Sequence, residues 1–335
     1  MRKILMLFTG GTIASVKTEA GLEPVLNAEQ ILSYLPELSA DISLDTLEIC
    51  NVDSTNMNYH IWLELAATIE AHYEKYDGFV ICHGTDTMAY TAASLSYLVQ
   101  NSDKPIVLTG SQQPIQMEIT DAKKNLYDSI VYAADRESEG VILIFDGKVI
   151  AGTRAKKTNS FSYHAFSSIN FPELAAMQHG KIVRYIPAEK NGKASGVKFY
   201  HHMNPRVYAL KLTPGMNPAV LKTIFEEYDC IVVESFGVGG MPDSMIEDFC
   251  DLMKQYRRGS KVVIMTTQVT YEGSNLSIYE VGKRIRGKFP YLEAYDMNFE
   301  AVFTKIMWIM GLGELSFPEI EALFYSKINY DVLLF

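Results

Sequence analysis

Gly78-Phe79-Val80-Ile81-Cys82, running into His83-Gly84-Thr85-Asp86-Thr87-Met88-Ala89-Tyr90-Thr91-Ala92, decides the fold of this chain. The first five residues form an unbroken apolar run, the pattern of a strand buried on both faces of a sheet. From Met88 to about Val99 the sequence reads as a helix. Thr85, Asp86 and Thr87 fill the turn between them. Threonine and aspartate are ordinary caps there, because their side chains accept hydrogen bonds from free N–H groups at a helix start. A second reading is chemical. It places a hydroxyl nucleophile beside a carboxylate at the carboxyl end of a strand, where the helix start also suits an anionic ligand.

The same alternation extends in both directions. Residues 3–8 read as a strand, and 58–73 as a helix with Trp62, Leu65, Ala66, Ile69 and Tyr73 on one face. Residues 105–108 read as a strand, 121–134 as a helix and Gly140–Phe145 as a strand. Apolar strands alternating with helices predict a parallel sheet covered on both faces. Residues 188–205, with Lys190-Asn191-Gly192-Lys193, Ser195-Gly196 and Asn204-Pro205, lack periodicity and read as a connection. Alternation then resumes, with strands over 207–212, 230–234 and 261–265. A helix is expected where Asn217 caps and Pro218 takes the first helical position. Others are expected over 243–256, with Ile246, Phe249, Cys250 and Met253 inward, and over 299–310. The expected fold is therefore α/β in two domains. Residues 1–187 form the larger, mainly parallel domain, 188–205 a linker and 206–335 a smaller α/β domain, as 335 residues allow.

The turns after the strands bear on function. The strand ends lead into Thr9-Gly10-Gly11-Thr12, His83-Gly84-Thr85, Thr109-Gly110-Ser111, Asp146-Gly147, Gly237-Val238-Gly239-Gly240 and Thr266-Thr267-Gln268. Ligands of open α/β sheets bind at such carboxyl ends. Glycine there lets backbone approach a ligand, and hydroxyls supply donors and nucleophiles. A nucleotide site does not fit. No G-x-G-x-x-G comes after the first strand, and no Walker lysine motif is present.

Composition removes other classes. A net charge of −10 with interspersed signs argues against a nucleic-acid partner. No stretch is long and apolar enough to predict a membrane span. The apolar run after Met1-Arg2-Lys3 is shorter than a signal core of about 7–15 residues. Cys50, Cys82, Cys230 and Cys250 form no C-x-x-C pair, which predicts a reducing, cytoplasmic setting. His83 and His201-His202 lack partners at ligand spacing, so no metal is expected.

Thr9-Gly10-Gly11-Thr12-Ile13-Ala14 and His83-Gly84-Thr85-Asp86-Thr87-Met88 resemble the two signatures of bacterial-type L-asparaginases, most of all the cytoplasmic type I group. Asn51-Val52-Asp53-Ser54-Thr55, Thr109-Gly110-Ser111-Gln112, Gly152-Thr153-Arg154-Ala155-Lys156-Lys157 and Ser235-Phe236-Gly237-Val238-Gly239 resemble further segments of that family. The resemblance implies hydrolysis of L-asparagine to L-aspartate and ammonia by a homodimer or homotetramer, with no cofactor. It implies Thr12 as nucleophile, with Thr85, Asp86 and Lys157 as a second catalytic group. Asp53, Ser54 and Thr55, with Asp86, are implied to hold the substrate's α-amino and α-carboxylate ends. The chemistry needs such a set. A threonine hydroxyl is a weak nucleophile, so it requires a base and donors for the developing oxyanion.

The chain departs from the family at three places. Leu22 stands where many members carry a lid tyrosine; Tyr163 and Tyr59 lie near site segments and are the candidates to replace it. Glu234 and Val269 stand where some type I members carry an arginine and a cysteine of an asparagine effector pocket. Effector activation is therefore not expected. Two rival readings are an ammonia-supplying subunit of a tRNA-dependent amidotransferase and a non-enzymatic binding module. The first is expected to be longer, with a domain ahead of the first signature. The joint presence of Thr12, Thr85, Asp86 and Lys157 argues against the second.

Overall fold

A computed structural model describes residues 1–18, 21–187, 196–255, 261–278 and 290–333, with backbone alone for 17, 18 and 21–24. The chain divides into two compact units, Met1–His201 and His202–Phe335.

The first unit is built on an eight-stranded sheet. Its order is Lys181–Arg184, Ala175–Gln178, Lys148–Ala151, Gly140–Phe145, Pro105–Thr109, Gly78–Cys82, Arg2–Gly10 and Ile42–Val52. The last five are parallel. Every residue of Gly78–Cys82 and Pro105–Thr109 is buried, which is why these runs carry no polar alternation. The other three strands extend the sheet antiparallel. They begin at Asp146-Gly147, which the sequence alone places among the ligand-facing strand ends. Both residues have positive φ, +51° and +76°, the backbone of a tight two-residue hairpin. The sheet's mixed edge starts there.

The parallel strands are not in chain order. From Arg2–Gly10 the chain goes outward to Ile42–Val52, then crosses back to Gly78–Cys82 on the other side and continues. The order reverses between Arg2–Gly10 and Gly78–Cys82. A crevice opens at the carboxyl ends of two such strands, because their connections leave on opposite faces of the sheet. The first leads into Gly11-Thr12 and the second into His83-Gly84-Thr85.

The helices follow their apolar faces. Tyr59–His72 is capped by Asn58, which accepts from His60 N–H, and buries Trp62, Leu65, Ala66 and Ile69. Met88–Leu98 is buried almost all round. Of the connection expected over 188–205, residues 188–195 lie outside the described residues. Lys198–Phe199 pairs antiparallel with Val99–Gln100.

The second unit carries a four-stranded parallel sheet, ordered Val207–Lys211, Cys230–Ser235, Val262–Thr267 and Leu292–Glu293. Helices Val220–Glu227 and Asp243–Gln255 pack on it through Leu221, Ile224, Phe225, Ile246, Phe249 and Met253. Asn217 Oδ1 accepts from Ala219 N–H at 3.0 Å and Asn217 C=O from Val220 N–H at 3.4 Å, so Pro218 and Ala219 form a turn that leads directly into the helix, whose regular part begins at Val220. Tyr256, at the expected end of the next helix, lies outside the described residues. Among the described residues no helix is long and apolar enough to cross a membrane.

Candidate active site

The three cap-type residues of the deciding stretch do not cap. Thr87 sits at the N-cap of Met88–Leu98 but makes no side-chain cap bond. Its hydroxyl donates instead to Ser54 C=O at 2.8 Å. Asp86 Oδ1 meets Lys157 Nζ at 2.6 Å. Thr85 Oγ1 meets the same Nζ at 2.7 Å and donates to Gln112 Oε1 at 3.2 Å. A missing cap typically costs about 1 kcal/mol of helix stability. All three side chains are turned away from that role toward one another's surroundings, so the reading of the turn as a plain helix cap is overturned.

Close backbone approach brings the strand ends together. A Cβ on Gly11, whose φ is +85°, would stand 2.5 Å from both Cα and N of Gly84. A Cβ on Gly84 would stand 2.7 Å from Ser54 Cβ and Oγ. Glycine at both positions therefore lets the turns bearing Thr12, Thr85 and Ser54 touch. Ser54 is buried and Ser54 Oγ accepts from Asp86 N–H at 3.3 Å, so that N–H is already engaged. Asp53 and Thr55 are exposed. The Thr55 N–H and hydroxyl donate to Asp53 Oδ1 at 2.8 and 2.7 Å and hold its carboxyl below the usual carboxylate range. Thr12 opens a short 3-10 turn after Gly11 and is half-buried. Its hydroxyl makes no hydrogen bond to any described residue.

Lys157 ends the strand Ala155–Lys157, which pairs antiparallel with Phe166–Ser168. Neighbouring strand residues face opposite sides. The side that carries Lys157 toward Thr85 turns Lys156 away.

Behind the turns lies a buried polar layer. His83 is fully buried, and burial pushes its pKa down to about 4, so the ring is neutral at pH 7. Trp62 Nε1–H can only donate, and it bonds Thr91 Oγ1 at 2.9 Å. Thr91 then donates to His83 Nε2 at 2.8 Å, and His83 Nδ1–H to Gly84 C=O at 2.6 Å. His83 is thus a brace for the Gly84 turn. Asp121 accepts from the N–H groups of Gln112 and Gln113 and from Asn125 Nδ2. Burial raises its pKa, and those donors pull against that rise. Asn125 also donates to Gly110 C=O and accepts from Asp146 N–H. In sequence Gln112 is only part of a segment similar to the family's. The structure adds it to the direct neighbours of Thr85, a contact no spacing rule reveals because 27 residues separate the two.

Residues 3–189 match the family described as "Asparaginase, N-terminal", and 206–324 match "Glutaminase/Asparaginase C-terminal domain". The chain is 38% identical to the L-asparaginase of Thermococcus kodakarensis, over 92% of this chain and 93% of that one. It is 30% identical to L-asparaginase 1 of Escherichia coli, over 92% of each. A glutamyl-tRNA(Gln) amidotransferase subunit of Methanococcus maripaludis is 31% identical, over 94% of this chain and 77% of that one. The solved structure of the thermostable L-asparaginase from Thermococcus kodakarensis superposes with a TM-score of 0.90, at 34% identity, covering 99% of both chains. Two ordered domain matches and full-length likeness agree with the paired threonine turns at the sheet's reversal: the chain belongs to the asparaginase family.

Proposed function

We propose that this protein hydrolyses L-asparagine to L-aspartate and ammonia, without a cofactor. The contact of Lys157 with both Thr85 and Asp86, beside the Gly11–Gly84 approach that brings Thr12 near, carries the reading. Thr12 Oγ attacks the side-chain amide carbon. Collapse of the tetrahedral intermediate breaks the C–N bond; ammonia leaves with the proton from Thr12, and an ester on Thr12 remains. Water then adds to the ester, giving up a proton through Thr85 and Lys157. Aspartate leaves and the Thr12 hydroxyl is restored. Backbone N–H groups at the strand ends serve the oxyanion, but Asp86 N–H is committed to Ser54. Ser54, Asp53, Thr55 and Asp86 face the substrate's charged ends. Ammonia release from asparagine, with glutamine run alongside, tests the reading; no release from either sinks it. The two substrates differ by one methylene, worth only about 1–3 kcal/mol of discrimination.

The amidotransferase reading is less supported. The asparaginase relative at 38% identity is spanned over 93% of its own length, whereas the amidotransferase relative is spanned over 77%. Copurifying tRNA would favour the amidotransferase role.

The enzyme is a homodimer or homotetramer of the cytoplasm, in which a second copy closes the strand-end cleft. Light scattering on the eluting active species is expected to give a multiple of the 37.6 kDa chain, and an active monomer contradicts this.

Leu22 pairs with Lys17 in the small antiparallel ribbon Ser15–Thr18/Gly21–Pro24 directly after Thr12; Glu19 and Ala20 lie outside the described residues. A lid at this place excludes water when closed. Leucine cannot bond the Thr12 hydroxyl, so Leu22→Tyr is expected to raise kcat with KM nearly unchanged. A positioned acid–base group typically contributes about 10²–10⁴-fold. Unchanged kcat in L22Y, with Tyr163→Phe or Tyr59→Phe crippled, assigns the role to one of those tyrosines. Tyr163 is half-buried on the loop that comes after Lys157.

A further inference from the structure

Gln112 stands between two parts of the site that sequence keeps far apart. Its Nε2 donates to Ser160 C=O at 3.0 Å and to Ser162 C=O at 3.2 Å, both on the loop after Lys157. Carbonyl oxygens only accept, so the amide nitrogen must face that loop and Oε1 must face Thr85. The Thr85 proton is thereby directed to Gln112. One Thr85 lone pair takes the Lys157 N–H, and the other remains for the reacting molecule. The backbone of Gln112 is itself fixed, its N–H donating to the buried Asp121 carboxylate at 2.9 Å. The loop has a second hold at its far end, where His164 Nδ1 meets Asp146 Oδ2.

We propose that Gln112 is a positioning residue for the amidase reaction, setting the Thr85 hydroxyl rotor and tying it to the loop that follows Lys157. The proposal rests on the asparaginase reading above. Gln112 makes no bond to substrate in this role; it acts through Thr85. A hydroxyl with a free rotor spends much of its time misdirected, and a small misplacement of a reacting group can cost about 10²-fold in rate.

Gln112→Met keeps the length and removes the acceptor and both donors. It is expected to lower kcat about 10- to 100-fold with KM within about twofold. In a Thr85→Val background the same substitution is expected to cost less than about twofold, because the hydroxyl it serves is gone. A general packing role would cost the same in both backgrounds. Gln112→Glu, of the same shape, turns the donors into an acceptor facing two carbonyls and is expected to lower kcat as well. It carries the test if the methionine variant does not fold. An unchanged or raised kcat in the folded variant, or an equal loss in both backgrounds, overturns the proposal. Wild-type protein that releases no ammonia from asparagine defeats the asparaginase reading instead, so the two failures are distinct.

Discussion

Replacing Thr12 by alanine is expected to abolish a hydroxylamine-trappable adduct and to lower kcat by at least about 10³-fold, whereas Thr85→Val loses turnover but still acylates. Removing a nucleophile eliminates the covalent route, leaving only what binding and oxyanion donors supply. The assignment comes from how each hydroxyl is engaged. Thr85 Oγ1 has its proton on Gln112 and a lone pair on Lys157. It is set to handle a proton rather than to approach a carbon. The Thr12 hydroxyl has no such commitments among the described residues. It lies on a turn opened by Gly10 and Gly11, both at positive φ. Intact mass before and after asparagine addition, with hydroxylamine quench, follows the ester directly. An adduct that persists in Thr12→Ala and vanishes in Thr85→Val would exchange the two roles. Lys157→Met is expected to fall with Thr85→Val, by about 10²–10⁴-fold, because in the proposed mechanism both serve one proton transfer.

The largest expected loss of stability lies in the second unit. Lys305 and Asp331 are both fully buried, with Nζ and Oδ2 at 2.5 Å. Lys305 also donates to Ser326 C=O at 2.7 Å, and Ile328 N–H donates to Asp331 Oδ1 at 2.9 Å. Desolvation pulls the lysine below its ordinary pKa even though the aspartate raises it. The two signs are compatible. Removal from water costs more than one counter-ion returns, but the carboxylate offsets much of it. Asp331→Asn or Lys305→Met alone leaves a charge in the interior without its counter-charge, which typically costs about 3–5 kcal/mol. The double substitution to Lys305→Met with Asp331→Leu is expected to recover most of that loss, since well-packed apolar replacements of buried pairs are often neutral. Urea unfolding of the three variants measures it. A loss in the double variant as large as the two single losses summed would show that the two charges do not interact.

Sequence determined the parts that depend on local pattern. Gly78–Cys82 is a strand because only a continuous apolar run suits a position covered on both faces. Trp62, Leu65, Ala66 and Ile69 recur at helical spacing, and they are the residues that Tyr59–His72 buries. Ile246, Phe249, Cys250 and Met253 do the same in the second unit. The α/β class, the glycine and hydroxyl turns at strand ends, and the family likeness were likewise legible, being written in contiguous residues. The tertiary structure decided what depends on partners distant in the chain. Asp146-Gly147 became a hairpin because the residues beyond it pair back as a strand, at a place where sequence showed only a strand end. Thr85, Asp86 and Thr87 are cap residues by type. Whether they cap depends on what lies within reach, and Lys157, Gln112 and Ser54 out-compete the helix N–H groups. Lys157 lies 72 positions from Thr85, and only the pairing of its strand with Phe166–Ser168 aims it there. A hydrogen bond needs a geometry good to a few tenths of an ångström. Residue type sets which bonds a side chain is able to form, and the packed sheet sets which of them it does form.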